Sequence, residues 1–348
     1  MSSPLRVGLI GYGFAAKVFH SPLLASTPGF EFAVVSSSDA SKVHADWPSV
    51  TVVDSAEKIF ADPSIDLVVI PTPNATHFPL ARQALEAGKH VVVDKPFTVT
   101  LEEARALDIL AKEKGKILSV FQNRRWDSDF LTLNTLLAEG SLGEIVYFES
   151  HFDRYRPQVQ VRWRESAELG SGIWYDLGAH LLDQAVQLFG MPDTIQSDQA
   201  LLRPGAQAVD YFNTVLTYSS RRRVVLHGTV YAAAESARYI VQGEKGSFVK
   251  FGLDPQEERL KAGERLPKAD WGFDQRDGVV TLEHEGVLAQ KTLPTIPGNY
   301  PAYYVAIRDA INGQGENPVT AEQAIRVMEL IELGMQSAQQ QKTLAVPK

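Results

Sequence analysis

The sequence predicts a two-domain α/β protein, with a parallel sheet wound on both faces followed by a domain built on a mostly antiparallel sheet. Three observations carry this. Apolar runs of strand length alternate with helix-compatible segments from Leu5 to Phe121, the order that parallel strands joined by crossover helices require. The first run, Leu5-Arg6-Val7-Gly8-Leu9-Ile10, empties into the turn Gly11-Tyr12-Gly13. Beyond Gln122 the pattern changes to short strands of period two with few helices between them. The boundary is therefore expected after residue 121, giving domains of 1–121 and 122–348.

A chain of 348 residues fits two domains. Its formal net charge of −8 argues against a nucleic-acid surface, and Arg221-Arg222-Arg223 reads as a solvated turn. With no cysteine there is no disulfide framework, thiolate metal site or thiol nucleophile. No apolar run reaches membrane-spanning length. Met1-Ser2-Ser3-Pro4 lacks the features of a signal peptide, so a cytoplasmic protein is expected.

In chain order, Val7, Leu9 and Ile10 suit a buried strand, Gly11 a tight exit, and Gly13 a place where a phosphate approaches bare backbone. A helix over about Ala15–Ala25, held close by Ala16, points its free N–H groups at a pyrophosphate. Phe30–Val35 then completes a strand–helix–strand unit. At its tip, where a dinucleotide fold places its ribose reader, stand Ser36-Ser37-Ser38-Asp39. Serines donate to a 2′-phosphate without opposing its charge, and Lys42 adds a cation. NADP is therefore favoured over NAD; Asp39 either caps the next helix or reaches back to a ribose.

Ile65–Ile70 is another central strand, delivering Pro71-Thr72-Pro73-Asn74-Ala75-Thr76-His77 to the sheet edge where ligands of such folds bind. Asn74 or Thr76 is a candidate cap. His77 alone reads as a local hydrogen-bonding residue. His90–Val93 leads to Asp94-Lys95-Pro96-Phe97, where the proline extends the backbone of Lys95; the lysine faces either the ligand crevice or open solvent. Thr100-Leu101-Glu102-Glu103 is a capping box for a helix closed by Gly115. Ile117–Phe121 is the last strand of the domain, ending in Gln122-Asn123-Arg124-Arg125-Trp126-Asp127.

The second domain should begin with a helix over Ser128–Ala138, then an alternating run over Ile145–Arg154. Further strands are expected at Tyr211–Tyr218, Arg223–Val230, Ala237–Gln242, Ser247–Phe251 and Val279–Glu283. Asp254–Asp277 reads as a surface excursion. A final capped helix starts at Thr320, with Ile325, Met328, Ile331 and Met335 as its apolar stripe, and the tail from Gln336 should fray.

The densest polar pattern outside the glycine turn is Gly170-Ser171-Gly172-Ile173-Trp174-Tyr175-Asp176-Leu177-Gly178-Ala179-His180-Leu181-Leu182-Asp183. On a regular helix, Asp176 and His180 stand one turn apart and Asp183 follows on nearly the same side. A neutral imidazole, of ordinary pKa about 6.5, can accept a hydroxyl proton near neutrality. Lys95 can hold the oxygen as it gains negative charge, and Asp176 can anchor a second hydroxyl. The alternatives are a metal site built from Asp176, His180 and Asp183, or polar groups that only satisfy one another.

Taken together, Gly11-Tyr12-Gly13, Thr72-Pro73-Asn74 with His77, Lys95-Pro96, and Asp176 with His180 resemble the glucose-fructose oxidoreductase, inositol dehydrogenase and rhizopine-catabolism (Gfo/Idh/MocA) family over nearly the whole chain. Asn123–Asp127, Arg154-Tyr155-Arg156-Pro157 and Trp163-Arg164-Glu165 look most like its NADP-dependent scyllo-inositol dehydrogenase branch. The resemblance implies a Rossmann domain followed by an α/β domain whose open antiparallel sheet makes a homodimer or homotetramer. It implies catalysis by Lys95, Asp176 and His180. The cofactor contacts it suggests are Gly11, Tyr12, Gly13, Phe14, Ala15, Ser36, Ser37, Ser38, Pro71, Thr72, Asn74, His77, Lys95, Pro96, Asn123, Arg124, Trp163 and Arg164. The implied reaction moves a hydride between NADP and a secondary alcohol of a cyclic polyol or sugar. An aldose, deoxy sugar or trans-dihydrodiol substrate, or a non-catalytic NADP sensor, are the alternatives. Two departures stand out: Asp94 replaces the family's glutamate before Lys-Pro, and Ser37 and Ser38 replace the acidic ribose reader of NAD-dependent relatives.

Overall fold

The computed structural model describes residues 3–347. Six strands, β1 (Leu5–Ile10), β2 (Phe30–Ser36), β3 (Thr51–Val53), β4 (Leu67–Ile70), β5 (His90–Asp94) and β6 (Leu118–Phe121), form one sheet in the order β3-β2-β1-β4-β5-β6. Every pairing in it is parallel. The apolar runs dictate this arrangement: Val7, Leu9, Val68, Val69 and Val91 to Val93 are all wholly buried, which needs helices over both faces of a parallel sheet. Each such side chain contributes roughly 1.5–3 kcal/mol on burial.

The capping box forms as expected, Thr100 accepting from the Glu103 amide while the Glu103 side chain takes the Thr100 N–H, and the helix Leu101–Lys114 ends at Gly115 with φ +61°. The helix after the glycine turn differs from a plain α-helix. Its first turn, Ala16–His20, is π-helical, with the Ser21 amide reaching back to the Ala16 carbonyl, and Pro22, which has no N–H, follows in Ser21–Ser26.

The compact unit around this sheet runs to Asn123 and also takes in Gln256–Trp271 and Asn299–Ile325. The excursion expected over 254–277 is thus packed, not loose. A short helix, Gln256–Lys261, sets Lys261 5.9 Å above the Phe14 ring, Arg265 lies 4.4 Å over Trp47, and buried Gln256 accepts from both the Trp271 indole and the Tyr300 amide. A helix the periodicity did not reveal, Pro301–Ile311, buries Tyr303, Tyr304 and Ile307.

The second unit holds nine strands: β7 (Ile145–His151), β8 (Thr194–Ala200), β9 (Tyr211–Thr217), β10 (Arg223–Thr229), β11 (Ala237–Gly243), β12 (Gly246–Phe251), β13 (Gly278–His284), β14 (Val287–Leu293) and β15 (Leu344–Ala345). Their order is β14-β13-β12-β11-β7-β10-β9-β8-β15. All neighbours are antiparallel except β7 and β10. One face buries Phe148, Phe212, Leu226, Tyr239 and Phe248, whereas the other, carrying Tyr147, Val225 and Thr229, stays half-exposed. The tail does not fray at Gln336: the helix Ala321–Gln340 continues past it, and Leu344–Ala345 pairs with β8. Buried Ser337 accepts from the Ser197 amide at 2.9 Å.

Candidate active site

In the first unit, the loops after β1, β2 and β4 build one polar cavity. Gly11 exits β1 with φ +77°, a conformation that costs a side chain dearly, and a Cβ there would lie 3.3 Å from the Thr72 methyl. Its amide donates to the Ser36 carbonyl at 2.9 Å and to Ser36 Oγ at 3.2 Å. Gly11, Ser36, Ser37, Ser38, Lys42 and Thr72 all line the cavity, of about 470 Å³. Asp54 and Ser55 line it too and were not anticipated, because β3 is three residues long and gives no periodic signal. A Cβ built at Gly13 meets no heavy atom within 4 Å, so the backbone there is open to an approaching group. Asp39 caps the helix Ala40–Asp46 by accepting from the Lys42 amide, and its hydrogen bond from Ser41 holds its carboxyl below the usual range.

The remaining predicted residues of this unit are placed as follows. The Tyr12 phenol is buried and donates to Asp46 at 2.9 Å; burial and this partner push it up to about 12. That side chain is tied to Asp46 while Tyr12 borders the cavity. Phe14 is exposed and Ala15 buried. Pro71, Asn74 and Pro96 are buried, and Thr76 holds Thr72 through its hydroxyl at 2.6 Å instead of capping the helix His77–Glu86. His77 is wholly buried, with Nδ1 2.9 Å from the Pro96 carbonyl and Nε2 2.8 Å from that of Thr72. Burial pushes this imidazole down, so the neutral ring donates its single N–H to one of these carbonyls while packing between the β4 and β5 loops. Lys95, half-buried at the tip of β5, has its amide held by Asp94 at 2.8 Å. Asn123 is buried at the end of this unit.

In the second unit, Trp174 fixes the polar helix. Its indole donates to the Ile331 carbonyl at 3.0 Å, and a Cβ at Gly178 or Gly334 would strike its ring at 2.6 or 2.4 Å. The turn from Trp174 to Gly178 is widened to a π-turn before the helix Ala179–Phe189 begins. Asp176 therefore sits in the π-turn and His180 in the first α-turn, not on one regular helix as the spacing suggested. Such local widening is frequent at functional sites.

His180 is 4% exposed. Asp176 has Arg154 Nη1 at 3.8 Å and Arg164 Nε at 3.7 Å, and all three line one polar pocket. Arg164 also stacks 4.7 Å from the Trp163 ring. Thus Arg164, expected on the cofactor, is brought beside Asp176. Arg154, read only as part of a resemblance, joins it. Arg203 braces the pocket by binding Asp210 at 2.9 Å and Glu165 at 3.2 Å. Asp183 is elsewhere engaged: Arg125 Nε and Nη2 reach it at 2.8 and 2.7 Å in a buried bidentate pair. Arg124 is likewise buried, 3.3 Å from Asp127 and 4.7 Å over Phe152.

Comparisons with known proteins decide the family. A family model described as oxidoreductase family, NAD-binding Rossmann fold, matches residues 5–122, and one described as oxidoreductase family, C-terminal alpha/beta domain, matches 134–346. The chain belongs to the Gfo/Idh/MocA oxidoreductase family. It is 68% identical to the oxidoreductase YdgJ of Escherichia coli over 99% of this chain and 100% of that one. To the scyllo-inositol 2-dehydrogenase (NADP(+)) IolW of Bacillus subtilis it is 39% identical, over 98% and 95% of the two chains. Its fold superposes on the YPO2259 oxidoreductase of Yersinia pestis with TM-score 0.97 at 67% identity, covering 100% and 99% of the chains.

As a Gfo/Idh/MocA member, the chain is an NAD(P)-dependent dehydrogenase with a Rossmann domain and a C-terminal α/β domain. The residues present suit that dinucleotide: an αL glycine at the strand exit, open backbone at Gly13, and a serine-lined cavity beside them.

Proposed function

We propose that this dehydrogenase is NADP-dependent and interconverts a secondary alcohol of a cyclic polyol or sugar with its ketone, scyllo-inositol being the first substrate to try. The observation that carries the reading is the pairing of two features: Ser36, Ser37, Ser38 and Lys42 at the cavity wall, and Asp176 in the widened turn that leads into the helix carrying His180. Of the two carboxylates lining this cavity, Asp39 is engaged in its helix cap and Asp54 pairs with Lys58 at 2.9 Å. IolW, which carries NADP(+) in its name, supports the same preference.

In this reading Gly11, Gly13 and the first turn of the following helix hold the pyrophosphate, and Lys42 with the serines meets the 2′-phosphate. When bound, the dinucleotide supplies the hydride acceptor. His180 takes the proton from the substrate hydroxyl. The Lys95 ammonium holds the same oxygen as its negative charge grows, and Asp176, 3.8 Å from Arg154 and 3.7 Å from Arg164, accepts from a neighbouring hydroxyl. We place the protein in the cytoplasm and assign the half-exposed face of the nine-stranded sheet to a homodimer or homotetramer contact.

A polyol panel with NADP, read as NADPH fluorescence, tests the activity, with inososes and keto sugars assayed in reverse. Reduction of NADP by a cyclic polyol is the expected result. The reading fails if no polyol reduces NADP and no keto substrate oxidises NADPH.

A further inference from the structure

On the second sheet, β7 and β10 bring two histidines and two carboxylates together. Glu149 and His151 alternate along β7, Asp153 follows two residues later, and His227 is the register partner of His151 on the parallel neighbour. All four side chains therefore issue from the half-exposed face of the sheet. Asp153 bridges the two rings, Oδ1 lying 2.8 Å from His227 Nδ1 and Oδ2 3.2 Å from His151 Nδ1, while His151 Nε2 lies 2.7 Å from Glu149 Oε1. One ligand atom from each of His151, Asp153 and His227 falls within 4.8 Å of the others.

The proton count makes this cluster unusual. Carboxylates only accept, so His151, flanked by one on each nitrogen, must carry two protons and a positive charge if protons alone hold the cluster. A cation in place of the two Nδ1 protons removes that requirement. His151 is then neutral, its Nδ1 lone pair turned to the cation and its Nε2–H donating to Glu149, the carboxylate–histidine–metal arrangement that fixes a ligand ring. The two imidazole–carboxylate separations, 2.8 and 3.2 Å, are near those needed, since donors at 2.0–2.1 Å from a tetrahedral ion stand about 3.3 Å apart.

We propose that His151, Asp153 and His227 form a binding site for a divalent transition ion of the zinc type, with Glu149 as the second-layer carboxylate of His151. Imidazole donors select zinc, nickel or copper over magnesium or calcium. His151 and Asp153 also line a cavity of about 370 Å³, which gives an ion a way in and leaves room for water at a fourth position. Of the arginines bordering that cavity, Arg238 pairs with Asp129 at 3.1 Å, Arg276 with Glu235 at 2.9 Å and Arg154 with Asp176 at 3.8 Å, so each has a carboxylate partner of its own.

The test uses the full chain, stripped with a chelator, dialysed and titrated with zinc sulfate by calorimetry, with cobalt(II) absorption as a second readout. One zinc per chain is expected. D153N and H227Q should weaken it by more than about tenfold, and E149Q by roughly tenfold, as for loss of an outer-layer partner. H180A should bind zinc as the wild type does, which separates this site from one at the polar helix. Far-ultraviolet circular dichroism and NADPH binding check that each variant is folded. If one does not fold, anomalous diffraction at the zinc edge from a soaked wild-type crystal replaces it, with a peak expected between the three side chains. Failure of the wild type to take up zinc, unchanged binding in H227Q, or an anomalous map without that peak would each overturn the assignment.

Discussion

The Gly11 amide donates to Ser36 twice, to its carbonyl at 2.9 Å and to its hydroxyl oxygen at 3.2 Å. The serine at the end of β2 thereby fixes the turn at the end of β1, its hydroxyl oxygen acting there as an acceptor. The Ser37 hydroxyl is engaged with the Asp39 backbone at 3.1–3.2 Å. Among the residues lining the cavity, Lys42 carries the positive charge that a 2′-phosphate would meet. Replacing Lys42 with Ala should weaken NADPH binding about tenfold or more while barely changing NADH, since a charge-assisted hydrogen bond is worth about 1.5–3 kcal/mol. Fluorescence titration of both dinucleotides reads the ratio directly, and equal losses for the two would remove Lys42 from the role.

The two glycines of the turn should fail differently. Gly11→Ala forces a side chain into φ +77° with a methyl 3.3 Å away, and should lower stability by about 1–2 kcal/mol along with nucleotide affinity. Gly13→Val meets open space. It should leave the urea midpoint unchanged and abolish NADPH binding, because the added carbons occupy the position a pyrophosphate needs.

His90 gives the protein an acid-sensitive step. Its Nδ1 accepts from the Ile117 amide at 3.0 Å, and burial, helped by Lys116, lowers its pKa to about 4. The unfolded ring titrates near 6.5, so between these values the unfolded chain binds the extra proton and the folded one does not. The contribution is complete above pH 6.5 and disappears as the pH falls toward 4. Allowing for solvent screening it is about 1–2 kcal/mol. Urea midpoints of wild type and His90→Asn, measured from pH 7.5 to 4, should converge at the acid end.

Much of this molecule was readable from residue order. The buried strands declared themselves through unbroken valine and leucine runs, Thr100 and Glu103 through a spacing that has one local meaning, and Gly11 through its place at a strand exit. What stayed hidden depended on partners distant in sequence. Nothing near Asp183 signals that Arg125 will take both its oxygens. Nothing near Asp176 signals a π-turn, or that Trp174 at its start will pack against both Gly178 and the distant Gly334. The charged stretch around Lys261 and Arg265 looked solvated, yet its side chains lie over Phe14 and Trp47. His77 reversed the problem: a helix-start histidine with a local role in prospect proved to pack between two loops at once.

His180 separates an enzyme from a sensor. His180→Ala should leave NADPH titration within about twofold of wild type and reduce turnover by about 10²–10⁴, the usual worth of a positioned general base. Unchanged turnover would remove the imidazole from the reaction.

The two aspartates of the polar helix should part company when neutralised. Asp183 is almost fully buried and paired bidentately with Arg125, so Asp183→Ala strands a buried guanidinium and should destabilise by about 3–5 kcal/mol. Asp176 stands 3.7–3.8 Å from two arginines that remain partly exposed, a looser attraction worth about 1 kcal/mol or less. Asp176→Asn should therefore fold almost as stably as wild type while losing at least about tenfold in kcat/KM, the loss of a charged hydrogen bond to substrate. Urea unfolding and steady-state kinetics on both variants make the comparison. If Asp176→Asn costs stability on the scale of Asp183→Ala with kcat/KM intact, then Asp176 holds the fold together and does not touch substrate.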